Sequence, residues 1–428
     1  MQRVIDDVAA HFADAPQFAA TFARCYPNTF QTTLKPMPDG TTFVITGDIP
    51  AMWLRDSAAQ VRPYLIGAAD DPQLSDLVAG VSRRQFAFIL LNPYANAFNA
   101  APDGSGHRDE TLIGPQIWEC KYEIDSLCYP IQLAYLLWRA TGRVDHLDEQ
   151  FSAGCRAILK LWRVEQRHAD SPYFFRRTHC PPTDTLSHAG LGAPVGHTGM
   201  TWSGFRPSDD ACTYGYLVPA NMFAVVVLGY LAEIADAVLA DHELAHDALA
   251  LRQEIDAGIK RHAIVQHPEF GPIYAYEVDG LGSVNLMDDA NVPSLLAIAY
   301  LGYCAPDDPI YLNTRRFILS QRNPFYFSGA AASGVGSPHT PSRYIWHIAL
   351  AVQGLTSTDA AERLALLKLM AATDGGTGVM HEGFDVDDPT QFTREWFAWA
   401  NAMYAELALM VCGHVVPGSP LAAQLLGE

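Results

Sequence analysis

The stretch PANMFAVVVLGYLAEIADAVLA, residues 219–240, is followed by Asp241-His242-Glu243 and then by LAHDALALRQEIDAGIKRHA, residues 244–263. Apolar residues recur in both at helical spacing, near every 3.6 positions, and no sustained alternation of period 2 competes with it. A three-residue connection between two long helices folds the second back beside the first, as an antiparallel hairpin. Working outward, the same periodicity predicts helices at about 2–23, 52–68, 76–91, 125–141 and 146–164 before this pair. After it come 291–302, 308–321, 342–356, 359–373 and 395–412.

The connections carry the topology. Those at 69–75, 142–145, 241–243, 303–307 and 357–358 are short, and those at 24–51, 92–124, 165–218, 264–290, 322–341 and 374–394 are long. Short and long alternate throughout. In a ring of antiparallel helices, alternate connections lie at opposite ends, so every long loop emerges on one face. The expected fold class is all-α, an (α/α)6 barrel in one domain over 1–428, with long loops forming the active-site face. Two stacked helical bundles are the rival. No period of 20–50 residues repeats, which argues against a solenoid. Ser75 is the expected cap of the third helix and Gly142 the stop of the fourth; Asp48, with Pro50 after it, is a candidate cap for the second.

Composition narrows the function. The 428 residues carry 28 Lys+Arg against 47 Asp+Glu, a net charge of −19, with only five lysines. Nucleic acid and anionic membranes need a basic footprint, so neither is an expected partner. Residues 1–30 contain Asp6, Asp7, His11 and Asp14 and offer no signal-peptide apolar core. Val225–Leu239, interrupted by Glu233 and Asp236, falls short of the ~20 residues of a membrane span. The eight cysteines form no CxxC pair and are expected to be free thiols. The expected location is cytoplasmic, and oligomeric state is left open.

Three clusters carry chemistry. The first, Thr46–Ser57, places Asp48, Trp53, Arg55 and Asp56 at the mouth of the second helix, where an aromatic face beside charged hydrogen-bonding groups suits a sugar. The second, Trp202-Ser-Gly-Phe-Arg-Pro-Ser-Asp-Asp210, holds adjacent carboxylates that cannot point the same way. One faces a pocket while the other accepts backbone or Arg206 hydrogen bonds. A carboxyl among Trp202, Phe205, Tyr214 and Tyr216 is expected to be desolvated, its pKa raised towards that of a general acid. The segment does not choose between Asp209 and Asp210. The third, His381-Glu-Gly-Phe-Asp385, supplies Glu382 as a second carboxylate.

Other chemistries fail on pattern. HExxH is broken by Asp385, the aspartates 385, 387 and 388 lack a calcium-loop spacing, and Gly334–Thr340 follows no strand and contains Pro338. No metal site and no cofactor are expected, His339 and His381 being read as binding or core histidines. Two separated loop carboxylates among aromatics fit glycoside hydrolysis, in which one carboxylic acid protonates the leaving oxygen and one carboxylate activates water.

The segments TGDIPAMWLRDSAAQVRPYL, WSGFRPSDDACTYGYLVPANMFAVV, NLMDDANVPSLL, GSPHT and HEGF…FTREWFAWAN resemble glycoside hydrolase family 125, in order, from about residue 25 to 412. The resemblance implies an (α/α)6 exo-α-1,6-mannosidase that inverts configuration, needs no metal ion and takes a mannose-containing oligosaccharide. It implies Asp209 as general acid and Glu382 as general base, with Asp210 the weaker candidate for the acid. It also implies sugar-pocket roles for Trp53, Arg55, Asp56, Glu123, Asp125, Arg206, Asp210, Asp289, Asn291, His339 and His381. The rivals are a glucoamylase-like hydrolase or a lyase on the same barrel, and a non-catalytic sugar-binding protein on a glycosidase scaffold. The glycine-rich stretch 190–201 is left open, as a mobile flap or a packed loop.

Overall fold

A computed structural model describes residues 1–107, 109–110 and 113–426. The helices are α1 (Gln2–His11), α2 (Pro16–Asn28), α3 (Leu54–Val61, extended by a 3₁₀ turn to Ile66), α4 (Pro72–Leu91), α5 (Ile124–Thr141) and α6 (Glu149–Glu165). One turn, α7 (Ser187–Gly190), precedes α8 (Val218–Ile234), α9 (His242–His262), α10 (Ile298–Leu301) and α11 (Pro309–Ile318). The last are α12 (His347–Leu355), α13 (Ala360–Ala372), α14 (Ala398–Val411) and α15 (Pro420–Leu426). Strands among the described residues are two to four residues long and all antiparallel. They are too short to leave a period-2 signal.

Two kinds of helix alternate along the chain. Helix α3 is buried over its whole length and α14 nearly so, whereas α13 buries only Leu366, Leu367 and Met370. The enclosed helices contact one another in the sequence α12, α14, α3, α5, α8, α10; α2, α4, α9 and α13 pack beside them, and α6 packs against α4 and α9. The partly exposed helices follow short connections, and Asp71, Asp148, Asp241, Asp308 and Asp359 cap α4, α6, α9, α11 and α13 through their carboxylates. The enclosed helices α3, α5, α8, α12 and α14 have no such cap. Their entry residues, Trp53, Glu123, Leu217, Trp346 and Phe397, are extended. A long loop runs into each of these uncapped N-termini. Unpaired N–H groups at those ends favour negative charge there.

Several expected boundaries move. The helix expected over 2–23 breaks at Phe12–Ala15, and Pro16, which fits only a first turn, opens α2. Asp71, not Ser75, caps α4, because Pro72 starts the helix earlier. Asp48 caps nothing; α3 starts at Leu54 and the Asp48 carboxylate binds Arg394. Gly142 does stop α5, at φ 73° with its N–H on Trp138 O at 2.7 Å. Of 291–302 only α10 is helical; Pro293 precedes it, and Asp288 accepts the N–H groups of Leu295 and Leu296. Tyr344–Trp346 pairs with Gly383–Asp385 as a ribbon before α12 begins.

The 22-residue run Val218–Leu239, with mean hydropathy 2.0, is long and apolar enough to cross a membrane, because the helix starts before Val225. In the fold it packs between α5 and α9. The stretch 190–201 is a packed loop: a Cβ at Gly196 would stand 2.7 Å from Gly280 O, and one at Gly199 2.9 Å from Glu254 O. All eight cysteines are free. One buried apolar cluster runs from Val8 to Ala422, with a small second one of Ala51, Trp53 and Ala97 beside the loop face.

Candidate active site

The long loops and the first turns of the enclosed helices surround a cavity. Trp53, Arg55 and Asp56 line it from the start of α3, Asp209 from the loop before α8, and Asn291 from the loop before α10. His339, Trp346, Glu382, Arg394, Phe397 and Trp399 complete the wall. Asp209 and Glu382 therefore share one cavity although they belong to different loops.

Asp209 is held by backbone. Its N–H donates to Arg206 O at 2.9 Å, and the Arg206 N–H donates to Asp210 O at 2.8 Å, closing a tight turn. This puts Asp209 at φ +70°, a left-handed conformation that aspartate tolerates better than most residues. Lys121 Nζ donates to Asp209 O at 2.8 Å, and Asn291 Nδ2 to Pro207 O at 2.6 Å. Ser208 Oγ donates to Asp289 Oδ2 at 2.6 Å. Asp210 turns the other way, its Oδ1 3.1 Å from His339 Nδ1.

Behind Asp209 a single guanidinium faces four carboxyl groups. Arg55 Nη1 lies 2.6 Å from Glu123 Oε2 and 3.1 Å from Asp125 Oδ2; Nη2 lies 3.5 Å from Asp209 Oδ1 and Nε 3.5 Å from Asp56 Oδ2. Burial lifts the Asp56 carboxyl to about 6 and carries Glu123 and Asp125 upward as well, against the pull of Arg55. Asp209 behaves differently from its expected desolvated state. Burial would raise its pKa, but Lys121, Arg55 and His339 outweigh that and hold it at about 2. The aromatic surroundings are also not as expected: Trp202 packs away from the cavity, stacked on His168 at 3.5 Å.

Glu382 lines the same cavity from another loop. Burial raises its pKa, while Arg394 and His339 oppose that rise. Arg394 Nη1 lies 3.9 Å from Glu382 Oε1, and its Nε donates to Asp48 Oδ1 at 3.0 Å. His339 is driven to about 9 by the Asp210 hydrogen bond and the Glu382 and Asp209 charges, despite burial that favours the neutral ring. Trp53 Nε1, Arg55 Nε, Asp209 Oδ1 and Trp399 Nε1 are buried atoms of lining residues with no hydrogen-bond partner within the chain. Buried polar groups are normally paired, so unpaired ones on the lining leave hydrogen-bonding capacity free for a polar ligand.

Residues 15–409 match the family model of the metal-independent alpha-mannosidases, GH125. The chain belongs to glycoside hydrolase family 125. Membership of GH125 makes it a glycosidase of the α-mannosidase type. It is 53% identical to a metal-independent alpha mannosidase of Streptococcus pneumoniae solved with alpha-1,6-mannobiose in a non-productive complex; 96% of this chain and 98% of that one align, with a TM-score of 0.95. A relative in Schizosaccharomyces pombe, the meiotically up-regulated gene 157 protein, is 40% identical over 434 residues, covering 96% of this chain and 85% of that protein. A wild-type glycosidase aligns over 94% of this chain and 99% of its own at 14% identity and a TM-score of 0.59, a likeness of fold alone.

Of the residues singled out in the sequence of this GH125 chain, Trp53, Arg55, Asp56, Asp209, Asn291, His339 and Glu382 line the cavity. Glu123, Asp125, Asp210 and Asp289 stand directly behind, each touching a lining residue. Arg206 and His381 do not line it. Arg206 is locked to Glu277 at 2.6 Å rather than to either aspartate, and His381 is stacked on Phe392 with Nδ1 on Arg394 O. Lys121 and Arg394 went unnoticed in the sequence. Their signal was faint: one of five lysines beside the YEID motif, and one arginine within FTREWF.

Proposed function

We propose that this chain is an exo-acting, inverting α-1,6-mannosidase built as one (α/α)6 barrel domain, with Asp209 as general acid and Glu382 as general base. The observation that carries the reading is that these two carboxyl groups, from different loops, line one cavity. The alternation of capped outer and uncapped enclosed helices supports the barrel. The buried Arg55–Glu123–Asp125 group behind Asp209 backs the cavity, which fits a chain end better than a threaded polymer. The 1,6-linkage rests on the Streptococcus pneumoniae relative and its mannobiose.

In the mechanism, the terminal mannose lies between the walls, its hydroxyls satisfying the unpaired atoms of Trp53, Arg55 and Trp399. Asp209 delivers a proton to the glycosidic oxygen as the C1–O bond breaks and its electron pair stays on that oxygen. Glu382, whose charged form Arg394 and His339 favour against its burial, takes a proton from the water that attacks C1 from the other face. Inverting hydrolysis requires carboxyl groups roughly 6.5–9.5 Å apart, room enough for that water.

Incubation with α-1,6-mannobiose tests the reading: mannose release by the wild type, unchanged by EDTA, is expected. Binding without release would favour the sugar-binding protein, and neither binding nor release would end the proposal.

A further inference from the structure

Two carboxyl groups can hydrogen-bond to each other only through a proton that one of them carries. Glu123 and Asp209 meet on one guanidinium, Arg55 Nη1 lying 2.6 Å from Glu123 Oε2 and Nη2 3.5 Å from Asp209 Oδ1, and hydrogen bonding with Glu123 helps hold the Asp209 pKa down. Glu123 Oε2 is taken by Arg55 and by Ser126 Oγ at 2.7 Å, while Glu123 Oε1 and Asp209 Oδ1 are both buried without a hydrogen bond from an N–H or hydroxyl, Asp209 Oδ1 having only the long 3.5 Å ion pair to Arg55. The surrounding charge demands such a proton. Arg55 and Asp56 face the pair from α3, Lys121 and Asp125 from around the start of α5, and Asp210 and His339 from the loops. Lys121 is already engaged by Asp184 and Glu119. The Glu123 and Asp125 side chains are fully buried, and the same Arg55 guanidinium that pairs with both also faces Asp56 and Asp209, so a proton on Glu123 relieves the excess of negative charge around it.

We propose that Glu123 is the positioning residue for the proton of Asp209: the two hold one proton between them, and Glu123 sets the pH up to which Asp209 can deliver it. This rests on the reading of Asp209 as general acid. It also reconciles that role with the low pKa that Lys121 and Arg55 impose on Asp209, because the proton is retained by the pair and titrates as a property of both. During bond cleavage the proton leaves through Asp209 to the glycosidic oxygen. The pair is then doubly ionised between Arg55 and Lys121 until water reprotonates it, while the proton taken by Glu382 returns to solvent.

The test is the pH profile of Glu123→Gln, whose amide keeps the size and a donor but holds no titratable proton. On α-1,6-mannobiose the alkaline limb of kcat/KM is expected to move at least about one pH unit down, with a fall of about 100-fold at pH 7, the scale of general acid catalysis. On 2,4-dinitrophenyl α-mannoside, whose leaving group needs no proton, the loss is expected to stay within about threefold, and Glu123→Asp should restore part of the alkaline limb. Equal losses on both substrates with an unmoved limb would make Glu123 merely structural and overturn the proposal. Should Glu123→Gln fail to fold, carbon NMR of glutamate-labelled protein decides: a glutamate carboxyl neutral at pH 7 in the wild type must titrate lower in Asp209→Asn, and its absence overturns the pairing. Full mannobiose activity in Asp209→Asn would remove the acid assignment itself. An inert Asp209→Asn with an unmoved limb in Glu123→Gln overturns the proton-sharing alone.

Discussion

Nη1 of Arg394 lies 3.9 Å from Oε1 of Glu382, and Asp48 holds the same guanidinium through a 3.0 Å hydrogen bond from Nε. Glu382 is buried, which favours its neutral form, so a base here depends on a nearby cation. Replacing Arg394 by Gln removes that cation and raises the Glu382 pKa. The acid limb of the kcat/KM profile on mannobiose is expected to move to higher pH, with the greatest loss below neutrality. An unmoved acid limb would show that Arg394 does not serve Glu382.

The two carboxyl groups of the reaction should differ from their neighbour. Asp209→Asn and Glu382→Gln are each expected to lose about 10²–10⁴-fold in kcat while still binding mannobiose by calorimetry. Asp210→Asn leaves the lining carboxyl intact and acts through His339, so a much smaller loss is expected. The reverse ranking would place the acid at Asp210.

His339 offers a pH-dependent readout of stability. Its folded pKa, about 9, lies above its ordinary value of 6.5 because of Asp210, Glu382 and Asp209. A raised histidine stabilises fully below its unfolded pKa, and that contribution is lost as pH climbs through the folded one. The Tm advantage of wild type over Asp210→Asn is therefore expected to be largest below about pH 6.5 and to shrink through pH 9. Proton NMR of the imidazole should show the His339 pKa falling in the variant.

Away from the cavity, Arg62 Nε donates to Glu406 Oε1 at 3.0 Å, and Tyr300 donates to Glu406 Oε2 at 2.9 Å, all three side chains being buried. Glu406→Gln strips the counter-charge from a buried guanidinium, which costs about 3–5 kcal/mol. Denaturant unfolding should report that loss, with kcat on mannobiose unchanged at temperatures where the protein stays folded.

Much of this was readable before any coordinates, and the omissions share a cause. The helices α8 and α9 stood out because their periodic apolar runs are long; the entry strand at Tyr216–Leu217, two residues in length, carries no period to detect. Asp209 and Glu382 announced themselves through dense polar and aromatic motifs. The charge state of Asp209 did not, because its environment is made by Arg55, Lys121 and His339, which arrive from three other segments. Proximity in sequence pairs Arg206 with the adjacent aspartates, yet the strand pairing of Tyr216–Leu217 with Glu277–Val278 brings Glu277 to it instead. Local patterns reveal which residues are unusual; only the fold determines which charges meet.

Proton NMR of the first mannose released from α-1,6-mannobiose separates inversion from retention at the anomeric carbon. Water activated by Glu382 on the face opposite Asp209 gives β-mannose at early times, with the α anomer growing in only through mutarotation. Mannose appearing first as the α anomer would contradict the assignment of these two carboxyl groups to a single inverting displacement.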